Sequence, residues 1–384
     1  MQSFDIAIAG AGPAGTSAAI RLVDAGLSVL LVEQKRFPRE KLCGEFISPE
    51  CLTHFAELGV LPEIITAGGT DLTETIFFAR NGKGVSVPSD WFGNADSRAL
   101  GLSRAEMDSR LLERARQIGV DIREETNAAG LIFEGGTVVG IKLKDKTGTE
   151  VEVSARLTID ATGRTRSLAR RTEKRLAEKT PAKFVAFKSH LRGAMLTPGA
   201  CEIYAYDRGY GGCNRVENDL YNLCFIASAK EIKRFRSDAE RVMREVVFTN
   251  KRAAAAMRAA EIVKPWHAVP IERFGRGELA PAEGLIAIGD AAAFIDPFTG
   301  SGILLALESA KVASAAIIDS FNERCEFGDF AAEYKRNYAL AFDKRLRICS
   351  MLRQAAFVPF FAEVVISGLS LSGRLRRHIA LATR

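Results

Sequence analysis

The sequence predicts an α/β protein, a parallel sheet with helices on its faces joined to a second, β-rich unit, and three observations carry that reading. Residues 4–9 form a short apolar run that ends in Gly10-Ala11-Gly12-Pro13-Ala14-Gly15, after which Ala18, Ala19, Leu22 and Val23 recur at helical spacing. Ser28 to Val32 is a second β-like run closed by Glu33, so strand, turn, helix and strand follow one another within the first 33 residues. Far downstream, Gly284 to Ile288 returns to a parallel-strand pattern and leads through Gly289-Asp290 into an alanine-rich helix from about Ser301 to Phe321. The nucleotide-type domain is therefore expected to be discontinuous in sequence.

The elements between follow in order. Ser103-Arg-Ala-Glu106 places a serine three residues before a glutamate, a capping-box signature for a helix carrying Met107, Leu111, Leu112 and Ala115. That helix leads into a strand over Val120 to Arg123. Three β-rich segments run from about Ala129 to Ile159, separated by Gly135-Gly136 and Lys146-Thr147-Gly148-Thr149, which reads as an antiparallel meander ending at Asp160-Ala161-Thr162-Gly163. Between about Lys183 and Ser228 the runs 184–187, 202–206 and 220–226 suggest a second sheet. The apolar stretch Ala355 to Leu371 holds Pro359, Glu363 and Gly368 and is followed by Arg374, Arg376 and Arg377. It is expected to be a terminal helical layer, with peripheral membrane contact as the alternative. The resulting division is 1–70, 98–172 and 270–322 for the nucleotide domain, 71–97 and 173–269 for the β-sheet domain, and 323–384 for the C-terminal helices.

Composition removes several functions. The 384 residues are 47% hydrophobic and 26% charged, the balance of an ordinary globular protein. The net charge of +6 arises from 53 basic residues scattered among 47 acids, with no basic stripe, so no nucleic acid partner is expected. Seven cysteines without a Cys-x-x-Cys pair argue for a reducing cytoplasm and against zinc or any other metal. No signal peptide and no bilayer-spanning run is expected. His54, His190, His267 and His378 stand alone, which gives hydrolytic triads little support.

In the first glycine cluster Gly10 allows a sharp turn, Gly12 lets backbone approach a pyrophosphate, and Gly15 lets helix pack on strand. Pro13 and Ala14 open a helix whose N-terminus offers unpaired N–H groups, and Glu33, followed by Gln34, would accept hydrogen bonds from an adenosine ribose. The spacing alone does not separate NAD from FAD. The second cluster, Gly289-Asp290-Ala291-Ala292 and then Asp296-Pro297-Phe298-Thr299-Gly300-Ser301-Gly302-Ile303, resembles the flavoprotein monooxygenases of the para-hydroxybenzoate hydroxylase fold, in the branch with geranylgeranyl reductases and flavin-dependent halogenases. Phe37 to Pro49 is similar to the segment that this branch carries after its first βαβ unit, and Ser103-Arg104 with Asp108 and Leu111 resembles its cofactor-contacting helix.

The resemblance implies a Rossmann-like FAD domain with an inserted β-sheet substrate domain and C-terminal helices. It implies FAD contacts at Gly10, Gly12, Gly15, Glu33, Arg36, Cys43, Gly44, Arg104, Gly289 and Asp290, with Pro297, Gly300, Gly302 and Ile303 around the flavin ring. Arg104 as an i,i+4 partner of Asp108 and Cys43 as an inert hydrophobe are the plainer alternatives. Glu45 and Asp296 would face the flavin pocket. Where hydroxylases of this fold show Asp-Gly, linked to NADPH use, this chain has Asp160-Ala161, so the electron donor implied is NAD(P)H through a separate flavin reductase. Pro265-Trp266-His267-Ala268-Val269-Pro270 keeps one of the two tryptophans of the halogenase motif, which disfavours tryptophan-type halogenation. The leading expectation is a monooxygenase that hydroxylates a hydrophobic aromatic or polyketide-like molecule through a flavin C4a-hydroperoxide. Its rivals are a reductase of prenyl-chain double bonds, a halogenase, and a non-catalytic electron-transfer flavoprotein.

Overall fold

The computed structural model describes residues 2–93, 97–172, 182–271, 274–294, 300–356 and 372–383, together with 363, 366, 368 and 369. Its principal strands are β1 (Gln2–Ala9), β2 (Val29–Val32), β3 (Glu74–Phe78), β4 (Gly84–Pro88), β5 (Asp121–Arg123), β6 (Thr126–Glu134), β7 (Thr137–Asp145) and β8 (Glu150–Asp160). They are followed by β9 (Phe184–Arg192), β10 (Ala200–Tyr206), β11 (Gly209–Arg215), β12 (Tyr221–Ser228), β13 (His267–Ile271) and β14 (Leu285–Ala287). The helices that frame the site are α1 (Pro13–Asp24), α2 (Arg104–Gln117), α3 (Gly302–Glu323), α4 (Phe327–Ala356) and α5 (Gly373–Leu381).

The first sheet has the order β5-β2-β1-β8-β7-β6, with β14 on the other edge of β8. The pairs β1–β2, β1–β8, β2–β5 and β8–β14 are parallel, whereas β6, β7 and β8 form the antiparallel meander. Strand periodicity divides β1 between two layers: Ile6 and Ile8 join a core with Ile20, Leu22, Leu304 and Leu307 of the helices, while Ala7 and Ala9 face Leu30, Val32 and Ile141. Thr158 of β8 registers with Leu285 of β14, so the chain returns to this sheet after building the second one.

The second sheet runs β9-β12-β11-β10-β3-β4, with Glu261–Ile262 and β13 also on β9. All pairs are antiparallel except β3 with β10. Alternation again fixes what each face does. Phe187, Tyr204, Leu223 and Phe225 point to a core with Val242, Met243 and Val247 of the short covering helices, and the Phe187 and Phe225 rings stack at 5.1 Å. The intervening residues look toward the first sheet. Asn218 and Asp219, at φ 58° and 56°, make the left-handed turn between β11 and β12.

That turn also closes the seam between the two units. Ser103 accepts a 3.2 Å hydrogen bond from the Glu106 N–H, as its place ahead of the helix predicts. The reciprocal half of the capping box is absent: the Ser103 N–H donates at 2.9 Å to Glu217 from the second sheet, and Glu106 pairs with Arg110 one turn on. A longer-range carboxylate has taken the cap. Beside it, a side chain at Gly101 would overlap the Arg215 carbonyl, so backbone meets backbone there. Of the stretch 355–371, most lies outside the described residues. Among the described residues no helix is long and apolar enough to cross a membrane.

Candidate functional site: a cavity between the two sheets

The first glycine cluster does three different jobs. Gly10 sits at φ +104° against the Ala161 carbonyl, which brings the turn onto the end of β8, and a Cβ at Gly15 would overlap the Gly10 carbonyl, so Gly15 lets α1 sit tight on the end of β1. Gly12 has an ordinary φ of −78°, and its missing Cβ would come no closer than 3.8 Å to Arg104. It opens onto a cavity of about 700 Å³ whose wall includes Gly10, Gly12, Pro13, Ala14, Glu33 and Gln34. Glu33, buried at the end of β2, accepts hydrogen bonds from the Ala11 N–H at 3.2 Å and the Lys35 N–H at 3.1 Å. Arg36 is exposed and off the cavity wall, and Arg39 takes the inward position.

The second cluster meets the same cavity from the other side. Asp290, Gly300, Gly302 and Ile303 line it, whereas Gly289, at φ +59°, packs on Ala14 and donates its N–H to Ser309 Oγ at 2.8 Å. Asp296 and Pro297 lie outside the described residues. Burial pushes the Asp290 carboxyl up, against the pull of Arg164, Arg104 and Lys41.

Arg104 is both the i,i+4 partner of Asp108 and a residue of the cavity wall. It makes a bidentate pair with Asp108, at 2.8 Å and 2.7 Å, and it also lines the cavity beside Cys43 and Gly44. Burial opposes its charge, but Asp108 overrides burial and holds the guanidinium firmly protonated. Arg39 shares Asp108 at 3.1 Å. With Lys41 and Arg164 these residues put four cations on one wall, next to the positive end of α1. The crowding is felt at Lys41, where burial and then Arg39 and Arg104 pull the ammonium down. Such a wall fits a pyrophosphate, and the open position at Gly12 fits its close approach to backbone. Asp160 plays another part. Its two oxygens accept from the N–H groups of Thr162, Leu168 and Ala169 and the Thr162 hydroxyl, at 2.6–3.0 Å, so it caps the turns after β8.

The other half of the cavity is side chain, not backbone. Phe77 of β3, Val85 and Val87 of β4, Cys201, Ile203 and Ala205 of β10, and Ile226 of β12 project from one face of the second sheet. Ile379 and Ala380 of the terminal helix, and Thr383 just after it, close the far side, with Ile366 and Leu369. The polar atoms on this wall are few, chiefly Tyr210, Asn214 and Arg376.

At the junction of the halves lies a buried charged cluster that the sequence reading did not assemble. On the cavity-facing side of β9, Lys188 Nζ is 2.9 Å from Glu40 and 2.5 Å from Glu45, and His190 Nε2 is 2.6 Å from Glu45. Glu45 is fully buried in the cavity wall and adopts φ 52°. Glu45 also accepts from the Arg104 N–H at 2.9 Å, its carbonyl accepts from Asn214 at 3.2 Å and the Leu102 N–H at 3.3 Å, and its N–H donates to Cys43 Sγ at 3.4 Å. Lys264 adds a 2.6 Å bond to Glu40. Burial would raise the Glu40 carboxyl, yet hydrogen bonds from Lys264 and Lys188 bring it down to about 2. Glu40, Glu45 and His190 have the spacing of metal ligands, but the Lys188 ammonium already supplies the cation between the two carboxylates. The signal available in the sequence was the pair Lys188 and His190, two residues apart on one face of a strand that opens with the apolar run Phe184 to Phe187.

A dinucleotide turn with an acid on the next strand, a second glycine cluster under it, a cationic wall and an adjoining apolar chamber define an FAD-dependent oxidoreductase. The family model described as "FAD binding domain" matches residues 3–324, and the chain belongs to that family. Among curated relatives, conditioned medium factor receptor 1 of Dictyostelium discoideum is 28% identical over 84% of this chain, which spans only 64% of that protein's length. Digeranylgeranylglycerophospholipid reductase of Methanosarcina mazei is 28% identical, covering 84% of this chain and 76% of the relative. Menaquinone reductase of Mycobacterium tuberculosis is 26% identical, covering 96% and 89%. A flavin-dependent brominase superposes with a TM-score of 0.81 at 21% identity, over 100% of this chain and 93% of its own. The fold is thus that of the para-hydroxybenzoate hydroxylase type expected from the glycine clusters.

Proposed function

We propose that this flavoprotein saturates carbon–carbon double bonds of a prenyl chain, which places reduction ahead of the hydroxylation that the sequence favoured. The carrying observation is the apolar chamber that leads from Gly300 and Ile303 past Phe77, Val85 and Ile203 to the terminal helix α5. A long hydrocarbon satisfies such a wall at roughly 25 cal/mol for each Å² it buries. Two relatives reported above are named reductases, one of a digeranylgeranyl lipid and one of menaquinone, which supports the same reading.

In this reading Gly12, Glu33, Arg39, Arg104 and Asp290 would hold FAD, which would supply hydride when reduced, with Gly300, Gly302 and Ile303 on the same cavity wall. Electrons come from NAD(P)H through a separate flavin reductase. Helix α5, with exposed Arg374, Leu375, Arg377 and Leu381, meets the membrane surface that stores the substrate. Hydroxylation is the second reading, favoured by the rings of Phe77, Phe78 and Phe294 on the wall. The test is to load the protein with FAD, reduce it anaerobically and add geranylgeranyl diphosphate or menaquinone-4. Products gaining a pair of hydrogens per double bond are expected. Unchanged prenyl probes, with oxygen inserted into aromatic probes once air is admitted, would replace reduction by hydroxylation.

A further inference from the structure

Saturating a double bond adds a hydride to one carbon and a proton to the other, and a chamber lined by apolar side chains keeps bulk water from supplying that proton. The protein has to carry it in. Along the charged cluster, exposure falls stepwise toward the cavity: 24% at Glu40, 1% at His190 and none at Glu45. Two side chains bridge the carboxylates. Lys188 reaches both at hydrogen-bond distance, while His190 puts Nε2 at 2.6 Å from Glu45 and Nδ1 at 4.0 Å from Glu40. An ammonium only donates, but an imidazole takes a proton at one nitrogen and gives one from the other. Lys188 therefore balances the charge of the two carboxylates, and His190 is the bridge able to pass a proton between them.

We propose that Glu40, His190 and Glu45 form the proton entry path of the cavity, with Glu45 protonating the second carbon of the double bond; this rests on the reductase reading. In balanced form, reduced FAD would supply the hydride when bound, and Glu45, turning its carboxyl from the buried cluster toward the cavity, gives the proton delivered to it through His190 to the new C–H bond and returns to a carboxylate. The Glu40 carboxylate, ionised at rest, takes a proton from solvent and passes it to His190 Nδ1, and His190 Nε2 releases one to Glu45. A shift of the Glu40 carboxylate by about 1 Å closes the outer gap to hydrogen-bond distance. The other groups facing the imidazole are Lys188 on its own strand, Asn222 opposite it on β12, His267 on β13 and Lys264 beyond Glu40. Asn222 donates to the Cys43 carbonyl at 3.1 Å, and its Oδ1 has no partner among the described residues. The cluster is thus tied to the segment that borders the cavity.

The test has two arms on the FAD-loaded protein. In the oxidised state, with histidine nitrogens labelled, NMR reads how fast the His190 ring proton exchanges with water. Glu40→Gln should slow that exchange at least tenfold, and a rate indifferent to Glu40→Gln overturns the path. In turnover with geranylgeranyl diphosphate, His190→Gln and Glu45→Gln should each lower kcat about a hundredfold with KM and FAD content held, and raise the solvent deuterium isotope effect. Unchanged kcat in both variants also overturns it. If His190→Gln does not fold, Glu40→Gln, at a partly exposed position, carries the kinetic arm with the same expectation. A wild-type protein that saturates no probe, yet shows Glu40-dependent exchange, keeps the path and refutes the reductase reading.

Discussion

The two halves of the cavity are built by opposite means. The nucleotide half is backbone: glycines, a helix N-terminus and cations gathered within the first 41 residues and at Arg104 and Arg164. The substrate half is a mosaic of side chains from seven strands and a terminal helix, none of which carries a motif. Cofactor binding is therefore sensitive to single added atoms at a few positions, whereas substrate choice is spread over many tolerant ones.

That contrast can be broken in order of expected effect. Gly12→Val should abolish FAD retention while the melting temperature of the FAD-free protein holds, because the new side chain meets only open cavity and strains no dihedral. Gly15→Val instead drives into the Gly10 carbonyl and should cost the fold itself at least 1–3 kcal/mol, about the usual penalty of overpacking. A yellow, stoichiometric Gly12→Val protein would end the assignment of the turn. Asp290→Ala comes next, with FAD affinity falling about tenfold or more in equilibrium titration, the worth of one hydrogen bond to a charged group. Unaltered affinity would reduce Asp290 to a turn residue. Ile203→Trp should raise KM for a prenyl probe about tenfold at unchanged FAD affinity; a loss of flavin instead would mean that the halves are not separable.

The smallest effect is one of acidity. Glu40 is held near 2 in the folded chain against an ordinary 4.5, so its contribution to stability is complete above about pH 4.5 and drains away as pH falls toward 2. Thermal melts from pH 6 to 3 should show a drop in wild type that is shallower in Glu40→Gln. Equal slopes would place the loss in other carboxylates.

What was legible in the sequence follows the same division. The strand, turn and helix over residues 2–24 were readable because periodicity and glycine spacing are local, and so was the meander, expected from about 129 to 159 and found from 126 to 160. Arg104 and Asp108 could be paired in advance since they are one helical turn apart. The charged junction was not readable, because Glu45 meets Lys188 and His190 across 143 and 145 residues of chain. The second half of the Ser103 capping box failed for the same reason: Glu217, 114 residues away, supplies the carboxylate that local spacing assigned to Glu106. Arg39 was likewise passed over in favour of Arg36, as nothing local says which arginine the loop turns inward.

The seam at Gly101 and Glu217 bears on how such proteins can be recombined. Glu40, Glu45 and the Cys43 carbonyl are covalently part of the nucleotide unit, yet their hydrogen-bond partners Lys188, His190, Lys264, Asn214 and Asn222 belong to the second sheet. A chimera that grafts a foreign substrate sheet onto this scaffold must bring segments 39–48 and 99–103 along with it. A crossover drawn at the apparent unit boundary would strand buried charges on both sides of the graft.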